Sequence, residues 1–221
     1  TPKPSSAASD VYKRQALRDL RWASAGYAHL VVDARGQGHG DTDDDHADGG
    51  PSAGGFLTRG IRSREEYYYR RVYADAARAV DALRTIDLVD AERVGAVGAS
   101  QGGGIALAIA GLVPDLAAVI VQAPFLCELD RAAVLSSEHP YALLTQYFAD
   151  RRDDTAAALE TLRYFDGITH AKRANAPALL STGLLDGIAP PDTVLPAFTA
   201  YGGPKTCLLY TSDAADEGLG V

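Results

Sequence analysis

A short apolar run at residues 94–99 leads into Gly98-Ala99-Ser100-Gln101-Gly102, then Gly103-Gly104 and a stretch of small residues reaching about position 110. The pentad has the form G-x-S-x-G, and its surroundings leave few ways to fold it. A serine placed on a tight turn between a strand and a helix needs flanking residues without a Cβ, because the two arms of the turn nearly touch. A chain built around such a turn is expected to be a layered α/β protein. Binding of a dinucleotide by the same glycines is excluded, since G-x-G-x-x-G is not matched.

The rest of the sequence agrees with this. Residues 28–33, 94–99, 117–122 and 178–182 read as buried strands, and residues 16–25, 67–86, 102–110 and 192–200 as helices. In residues 67–86, Val72, Ala76, Ala79, Val80 and Leu83 recur at helical spacing. Residues 35–60, rich in Gly and Asp, read as a long loop, and residues 131–164 as a helical insertion with charged faces. The order predicts a mostly parallel sheet with helices on both faces, in one domain, and 221 residues suffice for that.

Chemistry concentrates on Ser100. The turn aims the Gln101 N–H, at the start of a helix, at the oxyanion that forms when the serine attacks a carbonyl. Serine needs a base, and the base an orienting acid. In α/β-hydrolases the acid follows a later strand and the histidine follows the acid. Asp186, in Gly183-Leu184-Leu185-Asp186-Gly187, stands where the acid belongs. No histidine follows His170, so the catalytic base is absent from these residues. His29, His46, His139 and His170 all precede Asp186 and read as structural or solvent-facing. The acidic run Asp41 to His46 lacks the glycine and closing glutamate of a calcium loop and reads as a solvated loop.

Composition removes other classes. A net charge of −8 argues against a nucleic-acid partner. No apolar run approaches the ~20 residues of a membrane span. Cys127 and Cys207 have no neighbours at metal-ligand spacing, so no metal is expected. Without a signal-like start the default location is cytoplasmic, although the sequence contains no Met. Residues 1–15 and 207–221 differ in character from the middle and read as non-native tails, leaving residues 16–206 as a partial domain truncated at both ends.

Several segments together resemble a known family. Arg35-Gly36-Gln37, the glycine-rich serine turn, Tyr67-Tyr68-Tyr69-Arg70-Arg71-Val72-Tyr73, Thr161-Leu162-Arg163-Tyr164-Phe165-Asp166, the run from His170 to Pro177, and Gly183-Leu184-Leu185-Asp186 are similar to the acetyl xylan esterases and cephalosporin-C deacetylases of carbohydrate esterase family seven. The resemblance implies an α/β-hydrolase that releases acetate from acetylated xylo-oligosaccharides and cephalosporin C without metal or organic cofactor, assembled as a homohexamer. It implies Ser100 as nucleophile, Asp186 as acid, the Gln101 backbone as one oxyanion donor, and Arg35 with Gln37 as support for the site. Two departures go with it: the last strand and its histidine loop are replaced from Cys207 onward, and the loop carrying the second oxyanion donor is missing, together with a central strand between residues 28–33 and 94–99. The expected consequence is an inactive chain with a gap in its sheet. Two rival readings are an esterase or peptidase of other acyl specificity and a noncatalytic binding domain lacking its base.

Overall fold

The computed structural model describes residues 5–9, 20–37, 42–44 and 55–211. Strands Ser5–Ser9 (β1), His29–Val31 (β2), Val94–Ala99 (β3), Ala118–Gln122 (β4), Ala178–Gly183 (β5) and Lys205–Tyr210 (β6) make one sheet in the order β2-β1-β3-β4-β5-β6. Every neighbouring pair is parallel. The chain steps outward from β1 to β2, returns past β1 to β3, and then proceeds one way to β6. That reversal creates a switch point between β1 and β3, where loops at the carboxyl ends diverge and α/β proteins place their sites. Ser100 leaves β3 beside it.

Helix Tyr68–Arg84 (α2, after the short α1 at Arg21–Ser24) forms where the periodicity places it. Its buried positions Tyr69, Val72, Tyr73, Ala76, Val80 and Leu83 follow three- and four-residue steps, so one stripe faces the core. Each large side chain in that stripe contributes about 1.5–3 kcal/mol of burial. Helix Gln101–Leu112 (α3) behaves differently: Gln101 to Ala110 are all buried, because the helix packs on the sheet on one side and on α2 and the short helix Gly167–Ala171 (α7) on others. Its small residues permit that close approach. The expected insertion consists of Leu129–Leu135 (α4), Ala142–Asp150 (α5), a 3-10 turn at Arg152–Asp154 and Thr155–Phe165 (α6), and Pro191–Ala200 (α8) follows β5.

Two expectations change, and a third falls partly outside the described residues. The sheet has no central gap: β1 pairs with β2 through Ser6 and His29 and with β3 through Ser6 and Gly95, in a segment whose sequence showed no period. Two flanking strands present backbone N–H and C=O groups that must be paired when buried, and any extended segment satisfies them. The end of the sheet is likewise formed, with β6 in register along all of β5 from Ala178–Lys205 to Gly183–Tyr210. The helix expected over residues 16–25 is described only as Arg21–Ser24, residues 16–19 lying outside the described residues. Among the described residues no helix is long and apolar enough to cross a membrane.

Candidate active site

Ser100 caps α3 with φ 52° and ψ −118°. A non-glycine residue in that region stores on the order of 1–3 kcal/mol of strain and persists only where its surroundings enforce it. Main-chain bonds do so here. Ser100 N–H donates to the Gln122 carbonyl at 2.9 Å, and the Ser100 carbonyl accepts from Gly104 N–H at 3.0 Å and Phe125 N–H at 2.9 Å. A Cβ at Gly98 would run into the Gly102 carbonyl, and one at Gly104 into the Phe125 carbonyl, so those positions require glycine. The serine itself is exposed to solvent. Gln101 is buried, and its N–H, as the first of the helix, has no acceptor among the described residues.

Asp186 lies past the end of β5 and is buried, with Oδ1 accepting from Ile188 N–H at 2.9 Å and Ala189 N–H at 2.8 Å. These bonds fix the carboxylate in its loop. Because β4 lies between β3 and β5, the Ser100 and Asp186 strands are two spacings apart, about 10 Å. That separation leaves room for one side chain between the two groups.

Neither of two upstream histidines reaches that gap. His29 is level with Gly95 through their shared partner Ser6, roughly 15 Å back along the strands from Ser100. The backbone of His170 lies against Gly111, ten residues along α3 from Gln101 or about 15 Å away. His139 is exposed, and His46, like His39, is outside the described residues.

His170 is a core residue, edge-on to Tyr73 at 5.2 Å between ring centroids, with both ring nitrogens lacking a hydrogen-bond partner among the described residues. Burial, with a smaller contribution from Arg173, holds its pKa down at about 4 against an ordinary 6.5. The unfolded chain therefore takes up a proton near pH 6.5 that the folded chain refuses until about pH 4, and stability falls as pH drops through that window. Buried Asp166 acts in the opposite sense. Burial raises its pKa to about 6 despite three backbone N–H donors, so the folded chain gains a proton first as pH falls from 6 towards 3.8. His170→Phe isolates one of the two. Its Tm relative to the parent should rise progressively between pH 7 and pH 4.5; a difference independent of pH would show that His170 titrates normally.

The two residues assigned to site support are both engaged. Arg35 forms a two-pronged pair with Asp75 on α2, Nε to Oδ2 at 2.5 Å and a second nitrogen to Oδ1 at 2.7 Å. Gln37 Nε2 donates to the Tyr68 hydroxyl at 2.8 Å, and that hydroxyl donates to the Arg35 carbonyl at 2.6 Å. The 35–37 turn is thereby tied to the first turn of α2. Part of the supposedly solvated acidic loop is in fact interior: the Asp44 side chain is 1% exposed and paired with Arg59 at 2.8 Å, Arg71 at 2.8 Å and Arg35 at 3.6 Å. Burial works to raise its pKa, and hydrogen bonds from Arg71 and Arg59 overcome that and hold it at about 2. The arginines had no visible partner in the sequence because Asp44 is 15 positions from Arg59 and 27 from Arg71. Among the described residues no group of three or more His, Cys, Asp or Glu side chains is placed to hold a metal ion.

A strained serine at a strand-to-helix turn, on a parallel sheet of this order, puts the chain in the α/β-hydrolase class. Within that class it belongs to the acetyl xylan esterase family (AXE1), whose model matches residues 11–221. The fold is similar to that of an acetyl xylan esterase from Paenibacillus sp. R4, with a TM-score of 0.86 and 36% identity, covering 94% of this chain and 67% of that one. Acetyl xylan esterase 1 from Thermoanaerobacterium sp. JW/SL YS485 is similar at a TM-score of 0.84 and 28% identity, covering 95% and 68%. The acetyl esterase Axe7A of Xylanibacter ruminicola is 28% identical over 203 residues, 89% of this chain but 44% of that protein. The chain thus spans less than half the length of that curated relative.

Proposed function

We propose that the enzyme to which this chain belongs is a serine acetylesterase acting on acetylated xylo-oligosaccharides and on the acetyl ester of cephalosporin C. The observation that carries the reading is the enforced Ser100 turn, with the Gln101 N–H beside it lacking an acceptor among the described residues. In this mechanism a histidine takes the Ser100 proton as Oγ bonds to the acetyl carbonyl carbon, and the carbonyl oxygen becomes an oxyanion facing Gln101 N–H. The C–O bond to the sugar or cephem breaks, the histidine gives the proton to the departing alcohol, and an acetyl-enzyme remains. Water, deprotonated by the same histidine, then releases acetate. Asp186 orients the imidazole across the gap between β3 and β5. The location is cytoplasmic and the assembly a homohexamer, as the family resemblance implies.

None of the histidines in the sequence follows Asp186, and this reading needs a base that does. The 221-residue chain alone should therefore release no acetate above background, while a longer chain that supplies this histidine should. For that longer enzyme, kcat/KM should fall steeply from acetyl to octanoyl esters of one alcohol. Equal values for the two acyl groups would remove the acetyl specificity, and Ser100-dependent turnover by the 221-residue chain would remove the external base.

A further inference from the structure

Three consecutive tyrosines lead into α2, Tyr67 as its N-cap, and each is bonded to a different segment. The Tyr67 hydroxyl donates to the Leu57 carbonyl at 3.0 Å, the Tyr68 hydroxyl to the Arg35 carbonyl at 2.6 Å, and the Tyr69 hydroxyl accepts from Gln101 Nε2 at 2.8 Å. The third bond is the unusual one, because it joins α2 to the residue whose backbone N–H faces the reacting oxygen. Both partners are buried, Tyr69 at 2% and Gln101 at 6% exposed. The Tyr69 ring is itself boxed in, edge-on to Tyr68 at 5.2 Å and packed on Tyr67 at 5.7 Å and Tyr73 at 5.8 Å. Its hydroxyl is thus a fixed point.

The peptide between Ser100 and Gln101 needs such a point. Its carbonyl side is secured by the two bonds to Ser100 O, but its N–H side has no backbone acceptor among the described residues and must stay that way to serve an oxyanion. The strained φ of Ser100 favours rotation of this peptide towards a relaxed geometry. Anchoring the Gln101 side chain opposes that rotation without using the N–H. We infer that Tyr69 is a positioning residue for the oxyanion donor: through the Gln101 side chain it sets the direction of the Gln101 N–H. This rests on the reading of Ser100 and Gln101 given above.

The test uses the full-length enzyme with Tyr69→Phe, Gln101→Ala and the double variant. Gln101→Ala keeps the backbone donor and removes the anchor from the other side, so it remains informative if Tyr69→Phe folds poorly. Each single variant should lower kcat by roughly tenfold or more with KM within about twofold, since a misdirected donor weakens the transition state and not substrate binding. Affinity for an acetyl-mimicking trifluoromethyl ketone, which forms an oxyanion on the serine, should fall in proportion to kcat. The double variant should be no worse than Gln101→Ala. Unchanged kcat in Gln101→Ala, or multiplicative losses in the double variant, would overturn the inference. Loss of thermal stability in Tyr69→Phe with kcat and ketone affinity intact would overturn it too, leaving Tyr69 as packing alone. A parent enzyme indifferent to Ser100→Ala would instead defeat the underlying reading.

Discussion

Ser100→Ala in the full-length enzyme is expected to reduce kcat/KM for an acetyl ester by on the order of 10⁴-fold or more while leaving the fold intact. The loss is large because the nucleophile, its base and the orienting acid act as a unit, so removing one forfeits most of what all three contribute. The fold should survive because the turn depends on the main-chain bonds of residue 100 and on glycine at positions 98 and 104, none of which involves Oγ. Relief of the hydroxyl does not relieve φ 52°, which alanine must also adopt. Acetate release measured alongside a thermal melt separates the two effects. Activity within tenfold of the parent, with an unchanged melt, would mean that Ser100 is not the nucleophile.

Asp44→Asn should lower stability substantially. The carboxylate is fully enclosed and faces three guanidinium groups, two of them nearly buried: Arg59 and Arg71 have side chains 5% and 15% exposed. Neutralising it removes the charge that all three guanidinium groups share, although Arg35 keeps Asp75 and Arg71 keeps the Glu66 carbonyl, and breaking a buried pair by removing one partner costs up to about 3–5 kcal/mol. For a domain of this size that corresponds to a fall in Tm of roughly 10 °C. The pH signature has a definite sign: with the folded pKa at about 2 and the ordinary value at 3.8, the Asp44 contribution is complete above pH 3.8 and is lost as pH falls towards 2. A melt of Asp44→Asn at pH 7 within 2 °C of the parent would show that the three arginines find water or other partners once the carboxylate is gone.

Local information was enough for much of the fold. The alternation of apolar runs with helical periods anticipated β3, β4, β5, α2 and α8, because strands buried in a parallel sheet and helices with one apolar stripe leave period-specific marks in sequence. It was not enough for β1 or for β6. Residues 5–9 have neither an apolar run nor an alternation, and they become a strand because β2 and β3 present unpaired backbone on both sides. Edge strand β6 leaves Leu208 and Leu209 exposed, so its apolar letters carry no burial pattern of the usual kind.

The candidate site divides along the same line. The sequence by itself determined the serine turn, since steric exclusion at Gly98 and Gly104 is a property of adjacent residues, and it placed Asp186 just past β5 with no histidine after it. Only the tertiary structure decided which distant side chains meet. It turned Asp44 from a solvated loop carboxylate into the centre of an arginine cluster and placed His170 in the core far from Ser100. It also tied Gln101 to Tyr69, 32 positions away. Partners brought together by chain crossovers leave no spacing rule in the sequence. Their pairing is set by burial, which makes an unsatisfied polar group costly enough to select the one neighbour able to satisfy it.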